Sequence, residues 1–122
     1  NKSIPIYDKE GNIIIIQCDD NILFVKRNLN QIWGGLWSLP ELDNHVNLNE
    51  WLLSLLDSRK YQMINSGRFC ANFSHYKYLI HYQHILFKKL NVKLPENFTW
   101  INQSKIHQAG LPAPIKKLLS TL

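Results

Sequence analysis

The sequence predicts an α+β domain in which one mixed β-sheet is packed with helices. Three observations carry that expectation. Residues 13–16 are four consecutive isoleucines, the pattern of a strand covered on both faces. Residues 63–71 and 76–87 are two long strand-like runs separated by a short reversal. Leu48, Trp51, Leu52, Leu55 and Leu56 recur at helical spacing and define one apolar helix face.

Taken in order, residues 4–7 read as a short extended entry, and residues 8–12 as turn chemistry in which Gly11 supplies a positive φ. The strand at 13–18 turns through Asp19, Asp20 and Asn21 into a second strand, 22–27, which ends on Lys26 and Arg27. A polar loop, 28–31, leads to Ile32-Trp33-Gly34-Gly35-Leu36-Trp37-Ser38-Leu39-Pro40-Glu41. Two glycines between two tryptophans suit a backbone that must approach something closely, although indoles also serve simply as core. Asn47 is placed to cap the helix, with Glu50 three residues on. Arg59 and Lys60 follow its C-terminal end, where positive charge is favourable. In the strand at 76–87, His81 and His84 fall on opposite faces, so the two cannot share a metal ion. Lys88, Lys89 and Lys93 make the next connection basic. Residues 98–102 form a last strand, and Gly110-Leu111-Pro112-Ala113-Pro114 leads into a C-terminal helix over 115–122.

A hydrophobic content of 45% across 122 residues provides for a single core, without repeats or an internal boundary. The formal net charge of +5 favours an anionic partner, nucleic acid first. Cys18 and Cys70 match no metal-ligand spacing and read as free thiols in preference to a lone disulfide. A chain that opens on Asn1 rather than Met is expected to be a piece of something longer. At the reversal stands Phe73-Ser74-His75. An aromatic ring, a hydroxyl and an imidazole at a loop tip can stack on a base and hydrogen-bond it, and the same three residues also fit an ordinary turn with Phe73 in the core. A Cys70/His75 nucleophile pair lacks a third group to orient it, and no phosphate-binding glycine loop or nucleophile elbow is present.

Gly35 followed by Glu41, just ahead of a helix, resembles the opening of the Nudix hydrolase signature, G-x5-E-x7-R-E-U-x-E-E-x-G-U with U aliphatic. Its helical glutamates gather divalent metal ions, which need hard oxygen ligands on one helix face. Continuing the register puts Asn49 at the arginine and retains Glu50. Leu53 and Ser54 stand where the two metal-binding glutamates belong, and Leu56 where the late glycine belongs. The scaffold looks Nudix-like with the hydrolytic donors missing, so the chain alone is expected to bind rather than react, with no metal site.

Several motifs together resemble the C-terminal domain of bacterial MutY-type adenine DNA glycosylases. They are Leu23-Phe24-Val25-Lys26-Arg27, Trp33-Gly34-Gly35-Leu36-Trp37-Ser38-Leu39-Pro40-Glu41, Phe73-Ser74-His75, Trp100, and the ending Gly110-Leu111-Pro112-Ala113-Pro114-Ile115-Lys116-Lys117-Leu118-Leu119. They occur in the family's order across nearly the whole chain. The resemblance implies a Nudix-like fold that has lost hydrolysis and that recognises 8-oxoguanine opposite adenine in base excision repair. It assigns lesion reading to Phe73, Ser74 and His75. Arg68, Lys77, Lys26 and Arg27 then become candidate DNA-backbone contacts, with Arg68 and Lys77 foremost because they lie near the loop. It implies as partners a duplex containing 8-oxoguanine·adenine and an N-terminal glycosylase domain of the same polypeptide, in a cytoplasmic, nucleoid-associated setting. The catalytic carboxylates and the iron–sulfur cluster of such enzymes would lie in that N-terminal domain. This chain should hold no cofactor of its own and should not cleave a glycosidic bond. Two other functions remain open to the same residues: a Nudix hydrolase of an oxidised nucleotide with an unusual metal site, and a protein-interaction module that meets DNA only through charge.

Overall fold

A computed structural model describes residues 8–27, 35–72 and 77–122. Its strands are β1 (Lys9–Cys18), β2 (Asn21–Lys26), β3 (Trp37–Ser38), β4 (Glu41–Leu42), β5 (Tyr61–Asn72), β6 (Lys77–Phe87) and β7 (Phe98–Asn102); helix α1 is Leu48–Leu56 and helix α2 is Ala113–Leu119. They form one mixed sheet in the order β3-β2-β1-β6-β5, with β4 paired to β1 and β7 to β2. β1 and β6 run parallel over ten rungs, from Lys9↔Tyr78 to Cys18↔Phe87, and every other pairing is antiparallel.

The isoleucine run sits at the centre of this sheet and is covered from both sides. Ile14 and Ile16 pack with Leu23, Ile85 and Phe87 beneath Leu52 and Leu56 of α1. Ile13 and Ile15 pack with Phe24, Tyr78 and Ile80 beneath Ile115, Leu118 and Leu119 of α2. Alternation in β1 therefore feeds two cores, and the uninterrupted apolar sequence follows from it. The C-terminal helix closes the second face.

Asn47 caps α1, its side-chain oxygen accepting from Glu50 N at 3.0 Å, and Asp57 ends the helix in the left-handed region. α2 begins two residues earlier than its sequence suggests and stops at Leu119. Pro114 is accommodated in the first turn, where its missing N–H costs nothing. Ser120 and Thr121 hydroxyls then bond the carbonyls of Lys117 and Leu118, at 2.7 and 2.6 Å. A short 3-10 segment, Gln103–Gln108, lies in the stretch read as connection.

The largest departure concerns residues 9–12, expected in a turn. They are the first part of β1, and among the described residues Gly35 is the glycine with positive φ, not Gly11. Gly11 is required for space instead. A Cβ there would overlap the Tyr78 hydroxyl and stand 2.6 Å from Glu41 Oε1.

His84 is buried on β6, its Nε2 lying 2.7 Å from Gln17 Oε1. Gln17 donates its own amide to Asp19 O at 2.8 Å, so its oxygen faces the imidazole and His84 Nε2 carries the proton. Burial pushes the His84 imidazole below its ordinary value of 6.5. The unfolded chain then takes up a second ring proton more readily than the folded one, so the contribution to stability is whole above about pH 6.5 and is lost as pH falls below it, until the depressed folded value is reached. Replacing His84 by Gln should flatten this part of the slope when urea midpoints are followed from about pH 7.5 to about pH 5.

Candidate nucleic-acid interface

Strand directions bring two connections to one end of the sheet. β2 runs antiparallel to β1 and ends there, β6 starts beside the first residues of β1, and β5 ends beside β6. Residues 28–34 leave from Arg27 and return at Gly35, where Arg27 N donates to Leu36 O and Gly35 N to Arg27 O, both at 3.0 Å. Residues 73–76 join Asn72 to Lys77, which are partners across β5 and β6. Asp8 fastens the start of β6: its carboxylate accepts from Lys77 N at 2.8 Å, and its own N–H donates to Lys77 O at 3.0 Å. Phe73, Ser74 and His75, like Trp33 and Gly34, lie outside the described residues.

The four basic candidates fare differently. Lys77 is exposed at the rung that closes the hairpin. Arg68 is exposed on the edge strand β5, opposite His81 and four rungs back, about 13 Å along the strand at ~3.3 Å per residue. Lys26 is exposed too, with its ammonium 5.9 Å from the centre of the Trp37 ring. Arg27 turns inward. Its side chain is 9% exposed and its guanidinium is paired with Glu41, so that charge is neutralised within the protein rather than displayed to a phosphate.

Glu41 is the side chain that ties Arg27 to Tyr78. One carboxylate oxygen accepts from Arg27, and the other accepts from the hydroxyl of Tyr78, a fully buried residue one position beyond Lys77. β4 places it there by pairing Glu41 with Ile13 on β1. The signal that could have found it was the glutamate itself, present in a signature whose two metal-binding glutamates are replaced by Leu53 and Ser54. That network also bears on metal chemistry. Both Glu41 oxygens are engaged, and Leu53 and Ser54 occupy exposed positions on α1 without carboxylates. Asn49 accepts from the Tyr61 hydroxyl at 2.9 Å. Among the described residues no three His, Cys, Asp or Glu side chains converge, so this donor set does not fit the hard-cation site of the hydrolase signature. Cys18 and Cys70 are unbridged, and burial raises the Cys18 thiol. No described helix is long and apolar enough to cross a membrane.

Two clefts flank β5. On the α1 side a cleft of about 590 Å³ is lined by polar groups of Asp43, Asn44, Ser66, Arg68, His81 and Gln83. On the α2 side one of about 610 Å³ runs between Phe69, Cys70 and Asn72 of the hairpin and Pro114, Lys117 and Leu118 of the helix. Arg68 borders both.

Most of the chain is similar to known proteins. The NUDIX domain model matches residues 12–121. An adenine DNA glycosylase of Buchnera aphidicola subsp. Schizaphis graminum is 26% identical over 123 aligned residues; the match covers 93% of this chain but only a third (33%) of that enzyme. Among solved structures, the C-terminal domain of mouse MUTYH, determined in complex with human PCNA, superposes with a TM-score of 0.72 at 15% identity, covering 91% of this chain and 84% of that one. A Nudix hydrolase of M. smegmatis, RenU, gives 0.64 at 12% identity, covering 93% and 88%. Together with the mixed sheet between α1 and α2, the match over residues 12–121 settles the family: the chain belongs to the NUDIX domain family.

Proposed function

We propose that this chain is the lesion-reading domain of an adenine DNA glycosylase, recognising 8-oxoguanine opposite adenine for base excision repair. The observation that carries the reading is the similarity to the Buchnera glycosylase along 93% of the chain. Two features of the molecule support it. The donor set on α1 does not suit metal-dependent hydrolysis, which leaves binding as the use of the scaffold. Exposed Lys77 also stands at the end of the sheet from which residues 73–76 depart, Arg68 lies four rungs back, and exposed Lys26 ends β2. In this reading Phe73, Ser74 and His75 meet the lesion. Lys77, Arg68 and Lys26 meet phosphates, which position a duplex without reading its sequence. The partners are an 8-oxoguanine·adenine duplex and an N-terminal glycosylase domain on the same polypeptide, in the cytoplasm at the nucleoid. Catalysis, and any iron–sulfur cluster, belong to that other domain.

The test joins residues 1–122 to the glycosylase domain and compares adenine excision from 8-oxoguanine·adenine and guanine·adenine duplexes, with and without this chain. Removing it should erase the preference for the lesion and leave slower, indiscriminate excision. Equal loss on both substrates would instead make the chain a source of general affinity, as expected of an interaction module.

A further inference from the structure

We propose that β5 is a docking edge for an extended acidic segment of a partner protein, which adds to the sheet as a further strand. This surface goes beyond the lesion-reading assignment and does not depend on it, although Arg68 and Lys77 figure in both. β5 stands at one end of the strand order, and among the described residues it pairs with β6 alone. An edge strand turns every second N–H and C=O outward, a template for another strand unless proline, a bulge or dense charge blunts it. In β5 the register shifts between Met63 and Asn65. From Asn65 to Asn72 the pairing is regular, no proline interrupts it, and Arg68 is the one charged residue. Most of that stretch is exposed. Successive side chains of an added strand point to opposite faces, and each face here has a cleft beside β5. Toward α2 the lining includes Phe69, Tyr82, Pro114 and Leu118, which suits apolar side chains. Toward α1 it includes Asn44, Ser66, His81 and Gln83, which suits polar ones. Charge selects the occupant. Residues 58–77 carry Arg59, Lys60, Arg68 and Lys77 and no carboxylate, and Lys117 lines the cleft toward α2. An acidic segment complements that run, whereas a second copy of this chain would set like charges against one another. The phosphates of a nucleic acid accept from outward N–H groups but carry no donor for the carbonyls that alternate with them. A peptide edge satisfies both.

The test adds the capped peptide acetyl-Asp-Val-Ser-Val-Asp-Val-Ser-Val-Asp-amide to the 122-residue chain and reads amide hydrogen exchange residue by residue. Between Asn65 and Asn72 exchange should slow about tenfold at every second position, the signature of a strand added along an edge. The Trp51 and Ser120 amides, which bond Asn47 O and Lys116 O at the two helices, should not change. The same peptide with every amide N-methylated keeps its charge and loses its pairing edge, so it should not bind. Arg68→Glu should weaken the unmodified peptide about fivefold, the scale of an exposed ion pair. Equal binding of the methylated peptide would mean attraction by charge alone and overturns the docking edge. So does protection that is absent from β5, or an Arg68→Glu chain that binds as well as the original. Alternate slowing that appears without peptide as the chain is concentrated would give the edge to a second copy. The same slowing with a duplex oligonucleotide in place of the peptide would give it to DNA. Either result overturns the assignment to a protein partner.

Discussion

Gly11→Ala is expected to lower the stability of the domain by about 1–3 kcal/mol, the range for inserting a methyl into a packed interior, and to do so with an unchanged denaturant slope. Gly11 is buried on β1 opposite Ile80, beneath the Tyr78 ring. The new methyl would overlap the Tyr78 hydroxyl and press on Tyr78 Cζ at 3.0 Å and Glu41 Oε1 at 2.6 Å. Neither neighbour is a loose side-chain end, because the hydroxyl and the carboxylate are bonded to each other and Glu41 is bonded to Arg27. Two other glycines calibrate the expectation. At Gly67 a Cβ would also meet a tyrosine, Tyr82, but that ring is only partly buried and can yield, so the cost should be smaller. At Gly110 nothing lies within 4 Å, and alanine there should be neutral or gain about 0.4–1 kcal/mol by restricting the unfolded chain. Equilibrium urea unfolding of the three variants gives the ranking directly. Equal midpoints for Gly11→Ala and Gly110→Ala would mean that the tyrosine moves aside freely.

The contrast between Gly11 and the isoleucines that follow it shows which parts of the fold a sequence discloses. The run at 13–16 announces double coverage through its own composition, and α1 announces itself through spacing and through the Asn47 cap. Those signals are local. Gly11 in a polar stretch has the composition of a turn, and what makes it strand is a parallel pairing with Ile80, far along the chain. No local pattern reports a tyrosine waiting there. The placement of Arg27 has a different origin. Two basic residues at a strand end read as a surface pair, yet strand alternation already sends neighbouring side chains to opposite sides, and Lys26 is exposed while the Arg27 side chain is not. The acid that receives it, Glu41, was visible only as a remnant of a broken signature. Proline chemistry explains the start of α2, where Pro112 stands at the N-cap and Pro114 in the first turn. The end of the β5–β6 hairpin was legible because both flanking strands are long and strongly patterned; the chemistry assigned to the tripeptide between them rests on residue types and on the resemblance.

Ser74→Ala should reduce the preference for 8-oxoguanine over guanine by about tenfold to a hundredfold, corresponding to ~1–3 kcal/mol for one good base contact. Oxidation at C8 turns the guanine N7 from an acceptor into an N–H donor and adds an oxygen acceptor beside it, so the two bases differ at one edge. A hydroxyl can accept from the new N–H or donate to the new oxygen, and for that reason it discriminates only when its surroundings fix its direction. The Asn72/Lys77 rung and the Asp8 bonds to Lys77 supply a fixed base for the segment that carries it. The ratio of affinities is the proper readout, because contacts to phosphate contribute alike to both duplexes and cancel. Lys77→Ala should weaken both equally and make binding less sensitive to salt, leaving the ratio intact. Ser74→Thr, which keeps the hydroxyl, should retain most of the preference. If Ser74→Ala leaves the ratio unchanged while Lys77→Ala lowers both affinities, the domain holds DNA at this end of the sheet without Ser74 reading the lesion, and Phe73 and His75 become the residues to replace next.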